Sequence, residues 1–115
     1  MFEYVEVNGK KMPCKYGFNA LRHFSRITGV TINEMQALGN NLTFDRALHL
    51  VYCGLMDGAR AAKEDFKYSV DDLADDLDTD IGAIERCMEL FAEQMGKNKL
   101  DEKKSKPAKA KKKKS

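Results

Sequence analysis

Nowhere does the chain hold the roughly eighteen consecutive apolar residues that a membrane-spanning helix requires, so no transmembrane segment is expected. Its first residues also lack the basic start and apolar core of a secretory signal, and a cytoplasmic protein is expected. Cysteine is sparse and odd in number. Cys14, Cys53 and Cys87 stand too far apart for zinc-type pairs or a disulfide framework, and buried free thiols are expected. A nucleophilic cysteine would need a base beside it, and nothing in the spacing assigns that role to His23 or His49. Neither histidine belongs to a ligand pair. A glycine-rich phosphate loop, a serine elbow and a convincing carboxylate pair are all missing as well. The expectation is a protein that is not an enzyme and needs no cofactor or metal.

What is present is organised around one stretch, TFDRALHLVYCGLMDGA, residues 43–59. Phe44, Ala47, Leu48, Val51, Leu55 and Gly58 recur at steps of three or four, on one face of a helix. Leu50, Cys53, Gly54 and Met56 widen that apolar surface, as a helix contacted from several sides requires, while Arg46, His49 and Asp57 lie off it. Thr43 suits the N-cap, and Asp45 the positive helix end. Gly54 and Gly58 each weaken a helix by roughly 1 kcal/mol relative to alanine. Close approach of another backbone would explain both.

Before this helix, Phe2, Tyr4 (with Val5) and Val7 alternate with Glu3 and Glu6, which gives a half-buried strand with Tyr4 on its apolar side. Asn8-Gly9 marks a tight turn, and residues 10–16 return with Met12, Cys14 and Tyr16 on one side. Pro13 lacks an N–H donor, so the second strand should lie at an edge or begin after the proline. Phe18, Leu21, Phe24 and Ile27 then predict a short helix ending at Gly29. Thr31 and Glu34 have capping-box spacing and introduce a brief helix carrying Met35 and Leu38 to Gly39, before Asn40-Asn41 breaks it. After the central helix, Ser69 and Asp72 cap a helix with Val70, Leu73 and Leu77 inward. A last one, begun at Asp78-Thr79-Asp80, carries Ile81, Ile84, Met88, Phe91 and Met95 and closes at Gly96. The fold class is therefore α+β: an N-terminal β-hairpin packed on about five short helices. Residues 1–96 form the folded domain and residues 97–115 a disordered Lys-rich tail.

Charge divides along the same boundary. The whole chain carries +2, but its last nineteen residues hold ten lysines against Asp101 and Glu102, so an acidic body of −6 bears a tail of +8. From Lys97 to Ser115 there is neither arginine nor an aromatic ring, so contact with nucleic acid would be nonspecific, through phosphate alone. The run DDLADDLDTD interleaves leucine at helical spacing and lacks a calcium-loop pattern, which makes it an acidic helix face rather than a metal site. Part of that face could dock a basic partner or the chain's own tail. The methionine-rich stripes, Met35 included, have two readings, plain core or an adaptable groove for a partner helix. The candidate partner-binding residues are Met56, Phe66, Tyr68, Met88, Phe91 and Met95.

In order, the hairpin with Asn8-Gly9-Lys10, the start at Tyr16-Gly17-Phe18, the segment ending in Thr28-Gly29, the element Tyr52-Cys53-Gly54-Leu55 and the acidic helix pair resemble the tail assembly chaperones of long-tailed bacteriophages. The likeness spans residues 2–95 and rests on the order of segments. It implies a noncatalytic factor that binds the long helical tape measure protein, keeps it soluble and helps recruit tail tube subunits. Such a protein is absent from the finished particle; self-association is left open. Two other readings compete with it: a small nucleic-acid-associated protein acting through its lysine tail, and a structural component of the tail. The basic tail departs from the acidic or neutral extensions common among those chaperones.

Overall fold

The computed structural model describes residues 2–35 and 42–100, without the side chains of residues 97–100. Two strands, β1 (Glu3–Val7) and β2 (Lys10–Cys14), pair antiparallel and are followed by α1 (Phe18–Thr28), α2 (Ile32–Met35), α3 (Phe44–Ala62), α4 (Val70–Thr79) and α5 (Gly82–Leu100). This is the α+β arrangement of a hairpin on five helices. Leu38, Gly39, Asn40-Asn41 and the chain after Leu100 lie outside the described residues.

Asn8 and Gly9 both take positive φ, 51° and 81°, the type I′ geometry whose twist matches the two strands. The register opposes Val5 to Met12 and Tyr4 to Pro13. Val5, Val7 and Cys14 are buried, whereas Tyr4 points outward. The inward face of β1 is thus carried by the two valines, with Glu3 on the same side but exposed at the strand's start, and the expected inward role of Tyr4 is corrected by strict two-residue alternation, which pairs it with Glu6. Pro13 sits within β2, in a two-stranded sheet where both strands are edges.

Helix α3 is the scaffold. Thr43 Oγ1 accepts from Arg46 N–H at 3.2 Å, the cap its position predicts, and Lys63 closes the helix in the left-handed region. Its wide face buries Ala47, Leu50, Val51, Cys53, Leu55 and Ala59. Both glycines are explained, each differently. A Cβ on Gly58 would lie 2.2 Å from the carbonyl oxygen of Pro13, a backbone contact, whereas one on Gly54 would lie 2.4 Å from the Tyr16 ring. Lys15 N–H also donates to the Gly54 carbonyl at 2.9 Å, so β2 is stitched directly onto α3. Tyr16 completes the joint with its hydroxyl on the Leu50 carbonyl and its ring edge-on to Phe91, centroids 5.2 Å apart.

Several expected core positions are instead outside. In α1, Phe18 is 78% exposed and Ile27 is exposed, while Ala20 and Phe24 are buried. A spacing of three drifts by about 60° per step on a 3.6-residue helix, so the ends of that series reach opposite sides. Phe44, in the first turn of α3, is 79% exposed, and Ile81 precedes α5 and stands in solvent. Ala83, Cys87, Leu90 and Phe91 form the inner face of α5, with Ile84, Met88 and Met95 beside them. Nothing crowds Gly96, and α5 runs through it to Leu100 rather than ending there.

Replacing Gly58 with alanine should destabilise the protein by about 3 kcal/mol or more, because the carbonyl it meets is backbone and cannot turn aside. Gly96→Ala meets nothing within 4 Å and should be neutral or gain up to about 1 kcal/mol from helix propensity. Urea unfolding of the two variants measures both, and equal midpoints would contradict the packing described.

Candidate functional site

The acidic run on α4 divides into two populations. Asp71, Asp72, Asp75 and Asp78 are exposed along the helix, and Ser69 with Asp72 forms the reciprocal capping box that their spacing predicts. Asp76 and Asp80 do something the sequence did not reveal: they hold the hairpin turn. Asp76 Oδ1 accepts from the Asn8 side-chain amide at 3.0 Å, and its Oδ2 accepts from Lys10 Nζ at 2.8 Å and from the Tyr68 hydroxyl. Asp80 Oδ2 takes the Asn8 backbone N–H at 2.9 Å, and both its oxygens take Arg86, which also donates to the Glu6 carbonyl at 2.7 Å. The residues that close the β-turn therefore dock on the α4–α5 corner. Asp80 caps the end of α4, and its carbonyl accepts from Ala83 N–H at 3.1 Å in the turn that leads into α5.

These contacts favour the charged carboxylates. The Lys10 ammonium, then the Tyr68 hydroxyl and the Asn8 amide, draw the Asp76 carboxyl down to about 2. The Arg86 guanidinium and then the Asn8 backbone amide lower Asp80. Tyr68 moves the other way, held above the usual phenol range by burial and then by Asp76.

A second cluster lies where α3 runs toward α4. Phe66 packs between Tyr52 and Tyr68, with centroids at 5.4 and 5.8 Å, and the Tyr52 hydroxyl donates to the Tyr68 carbonyl at 2.9 Å. Lys10 Nζ stands 5.2 Å from the centre of the Tyr68 ring, linking this cluster to the hairpin. Of the candidate partner-binding residues, Phe66 and Tyr68 are thus brought together, half-buried against the core. Phe91 belongs to the core itself against Tyr16, Met88 and Met95 flank it, and Met56 is half-buried on α3. Among the described residues, the large apolar side chains left in solvent are a different set: Tyr4, Phe18, Ile27, Ile32, Phe44 and Ile81.

Asp57 is the buried acid that helical periodicity had put off the apolar face; it is 2% exposed. Its Oδ1 accepts from Arg60 Nη2 at 2.9 Å, and its Oδ2 accepts from Ala20 N–H at 3.3 Å. Gly17 opens α1 without a capping side chain, so a carboxylate from α3 serves in its place. The signal for this was local: a helix that begins on glycine needs an acceptor from elsewhere. The start of α1 thus sits beside Asp57, and the helix packs on α3.

The three cysteines are buried free thiols. The neighbouring Cys87 thiol, and then burial, push Cys14 far above the ordinary thiol range, and burial pushes Cys53 up to about 12. Thiols so held are poor nucleophiles. His49 Nδ1 lies 2.9 Å from the Asp45 carbonyl within its own helix. Among the described residues no group of three or more His, Cys, Asp or Glu side chains could hold a metal ion, and no helix is long and apolar enough to cross a membrane.

The chain matches no family model, no curated protein and no solved structure. What can be said of its function rests on its own residues.

Two outcomes test this geometry. Asp76 and Asp80 have carboxyls depressed in the folded state, so their contribution is full above about pH 4, the unfolded value, and is lost as pH falls through each folded value, about 2 for Asp76. Stability measured by urea at pH 6, 4 and 2.5 should fall over that interval, and Asp76→Asn should flatten the fall. Asp57→Ala should cost about 1 to 3 kcal/mol through the lost cap and the buried Ala20 N–H left without its acceptor. An unchanged unfolding midpoint for Asp57→Ala would rule out the cross-helix cap.

Proposed function

We propose that this protein is a tail assembly chaperone of a long-tailed bacteriophage, which binds the tape measure protein, keeps it soluble and helps recruit tail tube subunits in the host cytoplasm. The order of hairpin, short amphipathic helix, central helix and acidic helix pair supports the reading. The observation that carries it is the set of large apolar side chains standing in solvent. Ile27 lies in the last turn of α1, Ile32, 70% exposed, opens α2, and Phe44 opens α3. A small chain that leaves such residues unburied has apolar surface to lend to another polypeptide. An amphipathic helical segment, as in a tape measure protein, would bury its own apolar stripe there.

The test is co-expression with a tape measure protein that is insoluble alone. The chaperone should bring it into the soluble fraction as a complex. Ile32→Ser with Phe44→Ser removes two side chains worth about 1.5 kcal/mol or more each when buried, weakening association about a hundredfold or more. Both positions are exposed, so the variant should keep its unfolding midpoint. A tape measure protein equally soluble with or without the chain would overturn the proposal.

A further inference from the structure

The hairpin leaves one strand edge open, and the chain carries a segment suited to it. In an antiparallel pair the residues flanking a two-residue turn exchange both hydrogen bonds, and pairs alternate from there. Val7 with Lys10, Val5 with Met12 and Glu3 with Cys14 are then the bonded pairs, and Pro13, which has no N–H, falls opposite Tyr4 at an unbonded one. The backbone groups of Tyr4 and Glu6 consequently face away from β2. Arg86 takes the Glu6 carbonyl there, and Asp80 covers the next amide, that of Asn8. The Tyr4 N–H and C=O and the Glu6 N–H have no partner among the described residues. They border a groove of about 240 Å³ between β1 and α5, with Val5 and Leu90 buried at its floor and Glu3, Glu6, Glu89 and Glu93 around it.

We propose that this groove docks the chain's own Lys-rich C-terminal segment, laid as a short extended strand along the outer edge of β1. Charge selects the occupant: four glutamates ring the groove, with Arg86 as the one basic side chain among its lining residues and already engaged by Asp80. Lys109, Lys111 and Lys113 alternate in sequence and would share one face of a strand toward the acidic rim. Reach is ample. Glu93 precedes Leu100 by about two helical turns, roughly 10 Å, and the fifteen residues after Leu100 can span about 50 Å when extended. Returning along α5, the segment would run parallel to β1. Main-chain hydrogen bonds would supply attachment and the glutamates selectivity for lysine. Covering the edge would also remove a template for unwanted strand pairing between copies. This inference does not depend on the chaperone reading.

Amide hydrogen exchange on the full chain tests it, with the Val5 and Val7 amides, bonded within the hairpin, as the control for folding. At low salt the Tyr4 and Glu6 amides should be protected, and Lys109→Glu, Lys111→Glu and Lys113→Glu together should lower that protection about tenfold or more without changing Val5. Glu89→Lys with Glu93→Lys should do the same, combining the two sets should restore protection, and 1 M salt should abolish it in the native chain. Equal Tyr4 and Glu6 exchange in the native and lysine-reversed chains would overturn the proposal. So would protection that rises with protein concentration, which would assign the groove to a second copy's tail.

Discussion

The fold depends on how closely β2 approaches α3. A strand and a helix come within backbone contact only where the helix presents no side chain, and Gly58 provides that opening under the Pro13 carbonyl. Once the strand is there, the Lys15 amide reaches the Gly54 carbonyl and the Tyr16 ring fills the space above Gly54 before meeting Phe91 on α5. Two weak helix positions thus become the joint between sheet and bundle. Helix propensity is sacrificed at each by roughly 1 kcal/mol, and burial of Tyr16, Cys14 and Val7 offsets it.

A hairpin of two strands is marginal alone, and here it is fixed at both ends. Its base is packed on α3, and its turn is held by Asp76 and Asp80 through Asn8, Lys10 and Arg86. Those carboxylates are partly exposed, so each contact is individually modest; what they add is register and direction, binding the first residues of the chain to the α4–α5 corner. Asp57 makes a comparable connection between α3 and α1. The three acids differ from their exposed neighbours only in having a donor across a gap in sequence.

Local chemistry was legible in the residues. The type I′ turn, the caps at Thr43 and Ser69, the left-handed Gly29 and the extent of α3 all follow from nearest neighbours. Two further expectations failed for geometric reasons. Tyr4 was grouped with the inward side of β1 because aromatic residues favour strands, yet alternation from Val5 and Val7 turns it outward. Phe18 and Ile27 were grouped with Phe24 by a spacing that slips around the helix. Asp57, Asp76 and Asp80 were not identifiable as contacts, since their partners lie 37, 68 and 72 residues away. The candidate partner-binding residues illustrate the same limit: periodicity placed Met88, Phe91 and Met95 on one stripe but could not say that Tyr16 would pack on it.

The exposed apolar residues and the open strand edge both sit on a body made rigid by the glycine joint, so any surface they offer is presented in a fixed arrangement. That rigidity underlies both surfaces. Native-state amide exchange in low urea tests it most directly, comparing Lys15 and Val5 in the hairpin region with Leu50 and Leu55 in α3. Joined as described, these amides should converge on one opening free energy, that of global unfolding. Hairpin amides that open about 2 kcal/mol or more below those of α3 would contradict the account.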